Sequence, residues 1–190
     1  MNRKDFIKST ALGVGSVTLA SMLSSCQNQV KEQTSEPVKE PEPIIQLDPK
    51  IVKSQEGYKL NVIGDNQTIK LTGKDTNGQF TLIEQNNDPG VGIPPHVHED
   101  EDEVFQVLSG EVEMIIGDKT TTLLAGDLIF CPRGIPHSWR VVGEVKARAM
   151  LSIFPAGLEA MFEELAQLPP GPPDLEKVGE ICGKYNLRFV

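Results

Sequence analysis

The sequence predicts an all-β domain of the sandwich or barrel class, followed by two amphipathic helices. Between residues 50 and 155 the chain breaks into short runs rich in Val, Ile, Leu, Phe and Thr, separated by Gly-, Asn- and Asp-containing turns. Many short strands at regular spacing are the pattern of a closed β architecture. A helical period appears only after Gly157. Setting aside a leader and a linker leaves about 140 residues, one domain with one sizeable core. No internal repeat is evident, so a single barrel is expected over 50–155 and a helical extension over 156–190.

Taken in order, Tyr58 to Ile63, Ile69 to Leu71 and Phe80 to Gln85 read as strands, with Asn77-Gly78 and Asp88-Pro89-Gly90 as turns. Glu103 to Leu108 reads as the next. Its alternation puts Glu103, Phe105 and Val107 on one inward face. Glu111 to Ile116 follows, with Val112, Met114 and Ile116 sharing a face, and Gly117-Asp118 is a hairpin turn signal. Thr120 to Leu124, Leu128 to Cys131, Ser138 to Val142 and Lys146 to Phe154 complete the set. Leu158, Met161, Phe162 and Leu165 then fall at helical spacing. Pro169-Pro170-Gly171-Pro172-Pro173 interrupts the period, and Asp174 is placed to cap a second helix carrying Leu175, Val178, Ile181, Cys182 and Tyr185. Both helices are expected to cover an outer face of the barrel rather than form a lid at its mouth, since amphipathic helices mostly serve packing.

The chain has only three histidines, His96, His98 and His137. In a strand, residues two apart face the same way, so His96 and His98 point together. Glu103 lies five residues beyond His98, across the acidic run 99–102, which reads as a solvated connection without chemistry. Imidazole and carboxylate are ligands that divalent transition metals accept together. Histidines confined to two short segments, with a glutamate beside one of them, therefore point to one metal site, completed by His137 from a distant strand.

Two gapped segments resemble the paired motifs of the cupin family. The first is Gly90, His96-Val97-His98, Glu103 and Gly110; the second is Gly126, Pro132-Arg133-Gly134 and His137. Val141 stands where the second motif often has asparagine. The resemblance covers roughly residues 57–155. It implies a jelly-roll barrel, the double-stranded β-helix, with His96, His98, Glu103 and His137 as ligands to one divalent transition metal: iron, manganese, nickel, copper or zinc. The ligand set is similar to that of quercetin dioxygenase-like cupins. So is the C-terminal arrangement, a helix after Phe154-Pro155-Ala156-Gly157 and a terminal Tyr185-Asn186-Leu187-Arg188-Phe189. Pairing into a homodimer through the outer surface is a further implication of the resemblance.

These features imply a metal-dependent oxidoreductase of dioxygenase type acting on a small aromatic or enolic compound. Glu103 doubles as a general base if it loosens from the metal. Candidate pocket walls are Phe105, Val107, Met114, Phe130 and Trp139. A non-redox isomerase or hydrolase using the same ligands, and a lipoprotein that only binds a small ligand, are the alternatives, because fold does not choose among functions.

The first 26 residues read as an export signal. Arg3, Lys4 and Lys8 precede an apolar run, Ala11 to Leu23, too short to span a membrane. Leu23-Ser24-Ser25-Cys26 resembles a bacterial lipobox, which implies lipidation of Cys26 and anchoring in the cell envelope. Arg3-Lys4-Asp5-Phe6-Ile7-Lys8 resembles a twin-arginine signal in which Lys4 replaces the second arginine. Residues 27–49, with Pro37, Pro41, Pro43 and Pro49 and no aromatic residue, read as a disordered tether spanning about 25 Å. Net charge is −9; losing residues 1–25 removes three positive side chains and one negative one and leaves −11. With no basic cluster after cleavage, nucleic-acid binding is not expected. Besides Cys26, Cys131 and Cys182 are expected as separate buried thiols.

Overall fold

The computed structural model describes residues 46–190. The export signal, Cys26 and the tether as far as residue 45 lie outside the described residues. The strands are β1 (Tyr58–Val62), β2 (Asp65–Leu71), β3 (Thr81–Asn87), β4 (Gly92–His98), β5 (Asp102–Ser109), β6 (Glu111–Ile116), β7 (Lys119–Leu123), β8 (Leu128–Cys131), β9 (His137–Val142), β10 (Ala147–Phe154) and β11 (Leu187–Phe189). The helices are α1 (Gly73–Thr76), α2 (Glu159–Leu165) and α3 (Leu175–Lys184).

Two antiparallel sheets face one another. One has the order β1-β2-β3-β10-β5-β8, the other β11-β4-β9-β6-β7. Non-sequential neighbours in both sheets make this the jelly roll the motifs imply. The strand sequences alternate because one face of each sheet is wet. In β10, for example, Ala147, Ala149, Leu151 and Ile153 are buried while the residues between them are not. Ile83, Val107, Val112, Met114 and Ile153 are almost fully buried between the sheets.

β4 and β9 approach closely at Gly92, where any Cβ would overlap the carbonyl oxygen of Trp139. Glycine is the residue that permits such an approach. Beyond it, Pro94 and Pro95 break the pairing register between Ile93 and His96, and the ladder resumes with His96 opposite His137. The prolines concealed this strand's start from the sequence. β2 likewise begins four residues before the predicted Ile69, because Asp65-Asn66-Gln67-Thr68 reads as polar turn. β11 was read only as a terminal segment; it pairs with β4, Leu187 opposite His98 and Phe189 opposite His96.

α2 and α3 are where predicted, whereas the single turn α1 has no signal in the sequence; α2 and α3 are not on an outer face. Met161, Phe162 and Leu165 of α2 line the same cavity as the histidines, with Leu175, Val178 and Cys182 of α3. The chain leaves β10 at Phe154, opposite Asp102 at the start of β5. α2 then packs against β1 and α3 against β11, the edge strands of the two sheets, so the helix pair walls the cavity on that side. Asp174 caps α3, accepting from the backbone N–H of Glu176 and Lys177. Among the described residues no helix is long and apolar enough to cross a membrane.

Candidate metal centre

His96, His98 and His137 come from β4 and β9 of one sheet, and Glu103 from β5 of the other. The four side chains meet between the sheets with one donor atom each, all within 4.8 Å of one another, and all four residues are buried. Cross-strand pairing sets this up: His96 and His137 are direct partners in the β4–β9 ladder, and His98 is two residues along the same face.

The three rings are oriented from behind. His96 Nδ1 lies 3.0 Å from the carbonyl oxygen of Pro94, and His137 Nδ1 lies 3.1 Å from that of Ile135. A carbonyl only accepts, so each Nδ1 carries the proton and each Nε2 is free to present a lone pair. His98 Nδ1 lies 3.4 Å from Glu101 Oε2, and neither atom has another partner. Orientation of the far ring nitrogen by carbonyl or carboxylate is the support that metal-ligating histidines receive.

The centre demands a cation. His137 Nε2 is 3.0 Å from Glu103 Oε2, and His98 Nε2 is 3.6 Å from Glu103 Oε1. With Nδ1 donating to Ile135, neutral His137 would set a lone pair against a carboxylate oxygen. Either a proton or a metal ion must resolve that contact. Burial resists a second proton on His137, yet the Glu103 carboxylate outweighs burial and holds its pKa above the ordinary value. Burial, with His137 adding to it, pushes His96 down to about 4. For Glu103, burial opposes the charge, but the bond to His137 and the field of the three imidazoles keep the carboxyl well below its usual range. Three imidazoles with inward lone pairs and one ionised carboxylate suit a divalent transition metal.

A cavity of about 550 Å³ opens onto His96, His98 and Glu103, within the range of small-molecule sites. Of the predicted wall residues, Phe105, Met114 and Trp139 line it. Val107 is fully buried and packs in the barrel core rather than on the cavity. Phe130 is not a wall residue: it is 54% exposed. In the β5–β8 register Cys131 sits opposite Glu103 and Phe130 opposite Val104, so burial of Cys131 turns Phe130 outward. Cys131 and Cys182 are both buried free thiols.

The sequence missed four side chains near the site. Glu101 was read as part of a solvated acidic run, yet it is largely buried behind His98. Its three-residue spacing from His98 was the available signal. Asp65, Gln67 and Gln85 also line the cavity; the first two lie in a polar run before the predicted strand at Ile69, and Gln85 ends a predicted strand with nothing to mark it as a cavity residue.

The comparisons agree with this architecture. The cupin domain family matches residues 84–154. The chain is 30% identical over 93 residues to quercetin 2,3-dioxygenase of Bacillus subtilis, covering 49% of this chain and 28% of that one. It thus spans about a quarter of that relative's length. Among solved structures, KdgF from Halomonas sp. superposes with a TM-score of 0.53 at 18% identity, over 60% of this chain and 99% of that one. A predicted oxalate decarboxylase from Thermotoga maritima superposes with a TM-score of 0.51 at 23% identity, over 55% and 98%. At such identities these two structures speak to fold alone. The sheet order is that of a jelly roll, and residues 84–154 are similar to the cupin domain family.

Proposed function

We propose that the protein is a metal-dependent oxidoreductase of dioxygenase type, acting on a small aromatic or enolic compound. The observation that carries this reading is the meeting of His96, His98, Glu103 and His137 at a cavity walled by Phe105, Met114 and Trp139. The similarity to quercetin 2,3-dioxygenase supports the reaction class. A divalent transition metal held by these four residues would supply Lewis-acid and redox chemistry.

The chain's own residues do the rest. Pro94 and Ile135 carbonyls hold the rings of His96 and His137 in one tautomer. The apolar walls, including the inward faces of α2 and α3, exclude bulk water, which strengthens every charge interaction within. Glu103 is ionised, the form that accepts a proton from a substrate hydroxyl. Its contact with His137 makes it a weak base, so that role requires the contact to lengthen. We further propose that lipidated Cys26 and residues 27–49 suspend this domain from a membrane of the bacterial envelope.

The test is elemental analysis of protein purified without chelators from its native host, beside the His96→Ala/His98→Ala variant, followed by oxygen uptake with hydroxylated aromatics. Near-stoichiometric iron, manganese, nickel or copper that the variant lacks, together with oxygen uptake, is the expected result. Zinc alone would move the assignment to non-redox isomerase or hydrolase chemistry. Absence of metal from both, with no uptake of added ions, would overturn the metal-dependent reading.

A further inference from the structure

The cavity that reaches the histidines has a second polar cluster, which the chemistry above does not use. Asp65 and Gln67 on β2 and Gln85 on β3 line it. Gln67 and Gln85 stand opposite one another in the β2–β3 ladder and are only 3% and 2% exposed. Each donates an amide N–H to Asp65 Oδ2, at 2.8 Å and 2.7 Å. Asn87 donates to Asp65 Oδ1 at 2.6 Å. A carboxylate only accepts, so these bonds fix which end of each glutamine amide faces Asp65. Both amide oxygens, Gln67 Oε1 and Gln85 Oε1, are then left buried without a donor. Buried polar atoms are nearly always paired, and neighbouring orphaned acceptors beside a cavity call for a donor that enters it.

The cluster is well separated from the histidines. Val107 is level with Gln85 through Ala149 of β10, and Glu103 lies four residues before Val107 on β5. The two polar groups are therefore about 13 Å apart along the strands. The walls between them are apolar, formed by Phe105, Leu151, Met114 and Trp139.

We propose that Gln67 and Gln85, held by Asp65, form a recognition subsite for a hydroxyl at the far end of a flat, apolar ring compound whose near end meets the His96–His98–Glu103–His137 centre. The near end rests on the functional reading above; the far end rests on the orphaned oxygens alone. A hydroxyl donates to them and an ether does not.

The test is calorimetric titration of the full chain with 2,6-dihydroxynaphthalene and its monomethyl ether, on the native protein and on Gln67→Met and Gln85→Met. Each substitution keeps side-chain length and removes the amide oxygen, and melting midpoints check the fold. The native protein is expected to prefer the diol by about tenfold, as for one net hydrogen bond. Either variant should bring the two ligands to within about twofold. Equal affinity for diol and ether in the native protein, which requires no variant, would mean that solvent satisfies the oxygens and would overturn the subsite. So would a preference that survives both substitutions, or failure of both compounds to bind.

Failure of the metal reading is distinguishable. In the His96→Ala/His98→Ala variant, 2-naphthol should still bind more tightly than 2-methoxynaphthalene, and that preference should vanish on adding Gln85→Met. Protein without metal that retains this glutamine-dependent preference would remove the proposed metal centre and leave the subsite standing. Metal-loaded protein without it would do the reverse.

Discussion

His137 Nε2 lies 3.0 Å from Glu103 Oε2, and the two residues come from opposite sheets of the barrel. The other ring nitrogen of His137 faces the carbonyl oxygen of Ile135. The contact is thus a tie between sheets that holds only while a positive charge mediates it, a proton or a metal ion. Occupancy of the centre and cohesion of the barrel are coupled through this pair.

Metal binding should accordingly stabilise the fold. At a free ion concentration about a hundred times Kd, linkage contributes about 2.7 kcal/mol. For a domain of this size that raises the melting midpoint by about 5–10 °C. Scanning calorimetry before and after chelation, and after returning iron, manganese, nickel, copper or zinc, checks this. One midpoint under all these conditions would contradict the coupling.

Removing residues 187–190 should weaken the centre although none of them is a ligand. β11 pairs with β4 opposite His96 and His98, and the backbone N–H of Val190 donates to the carbonyl of Pro95 at 3.0 Å. Without it the ligand-bearing strand becomes a sheet edge and its histidines lose rigid support. Metal affinity should fall by about 10–100-fold, as for loss of support behind a ligand. Arg188→Ala is the control: it keeps the ladder and loses only an exposed ion pair with Glu99, so stability should change by less than about 0.5 kcal/mol. Competition titration with a chromophoric chelator measures the affinity, and urea titration measures the stability of the control.

What the sequence made legible, and what it did not, follows from the range of each interaction. His96, His98, Glu103 and His137 could be read because side-chain chemistry and motif spacing single them out before any contact is known. Phe130 was misplaced because strand period alone leaves a choice of face, and burial of Cys131 beside Glu103 makes that choice. α2 and α3 were visible from periodicity, yet their seat against the edge strands β1 and β11 depends on a sheet order that periodicity does not contain. β11 was hidden because three residues carry no period, and its pairing with β4 spans about ninety positions. Asp65, Gln67 and Gln85 became a cluster only through the β2–β3 register.

Neither cysteine of the barrel and its extension should react in the native state. Burial, with the Glu103 carboxylate adding to it, pushes the Cys131 thiol up to about 12, and burial pushes Cys182 up to about 11. Reaction needs the thiolate, which is scarce at both positions at pH 8. Iodoacetamide labelling mapped by mass spectrometry should leave both unmodified in native protein and label both in denaturant. Rapid native labelling of Cys131 would instead show an accessible thiolate beside the metal centre.

Glu159 should make stability depend on acid pH from outside the metal centre. Its Oε1 accepts from the backbone N–H of Gly73 at 2.7 Å, and its Oε2 accepts from Thr81 Oγ1 and from the N–H of Gly157 at 2.9 Å. One carboxylate thus ties the start of α2 to α1 and β3. Burial opposes its charge, but these donors outweigh burial and lower its pKa from 4.5. A carboxyl lowered on folding contributes fully above its unfolded value and loses that contribution as pH falls through the folded one. Glu159→Gln should therefore cost about 1–2 kcal/mol at pH 7, toward the low end because the group is partly exposed to water. The difference from the native protein should be unchanged at pH 6 and shrink steadily below pH 4.5. Urea titrations across that range measure it. A difference that stays constant down to pH 3 would mean that the charge of Glu159 contributes nothing, and that the cost is the shape and donor pattern of the amide alone.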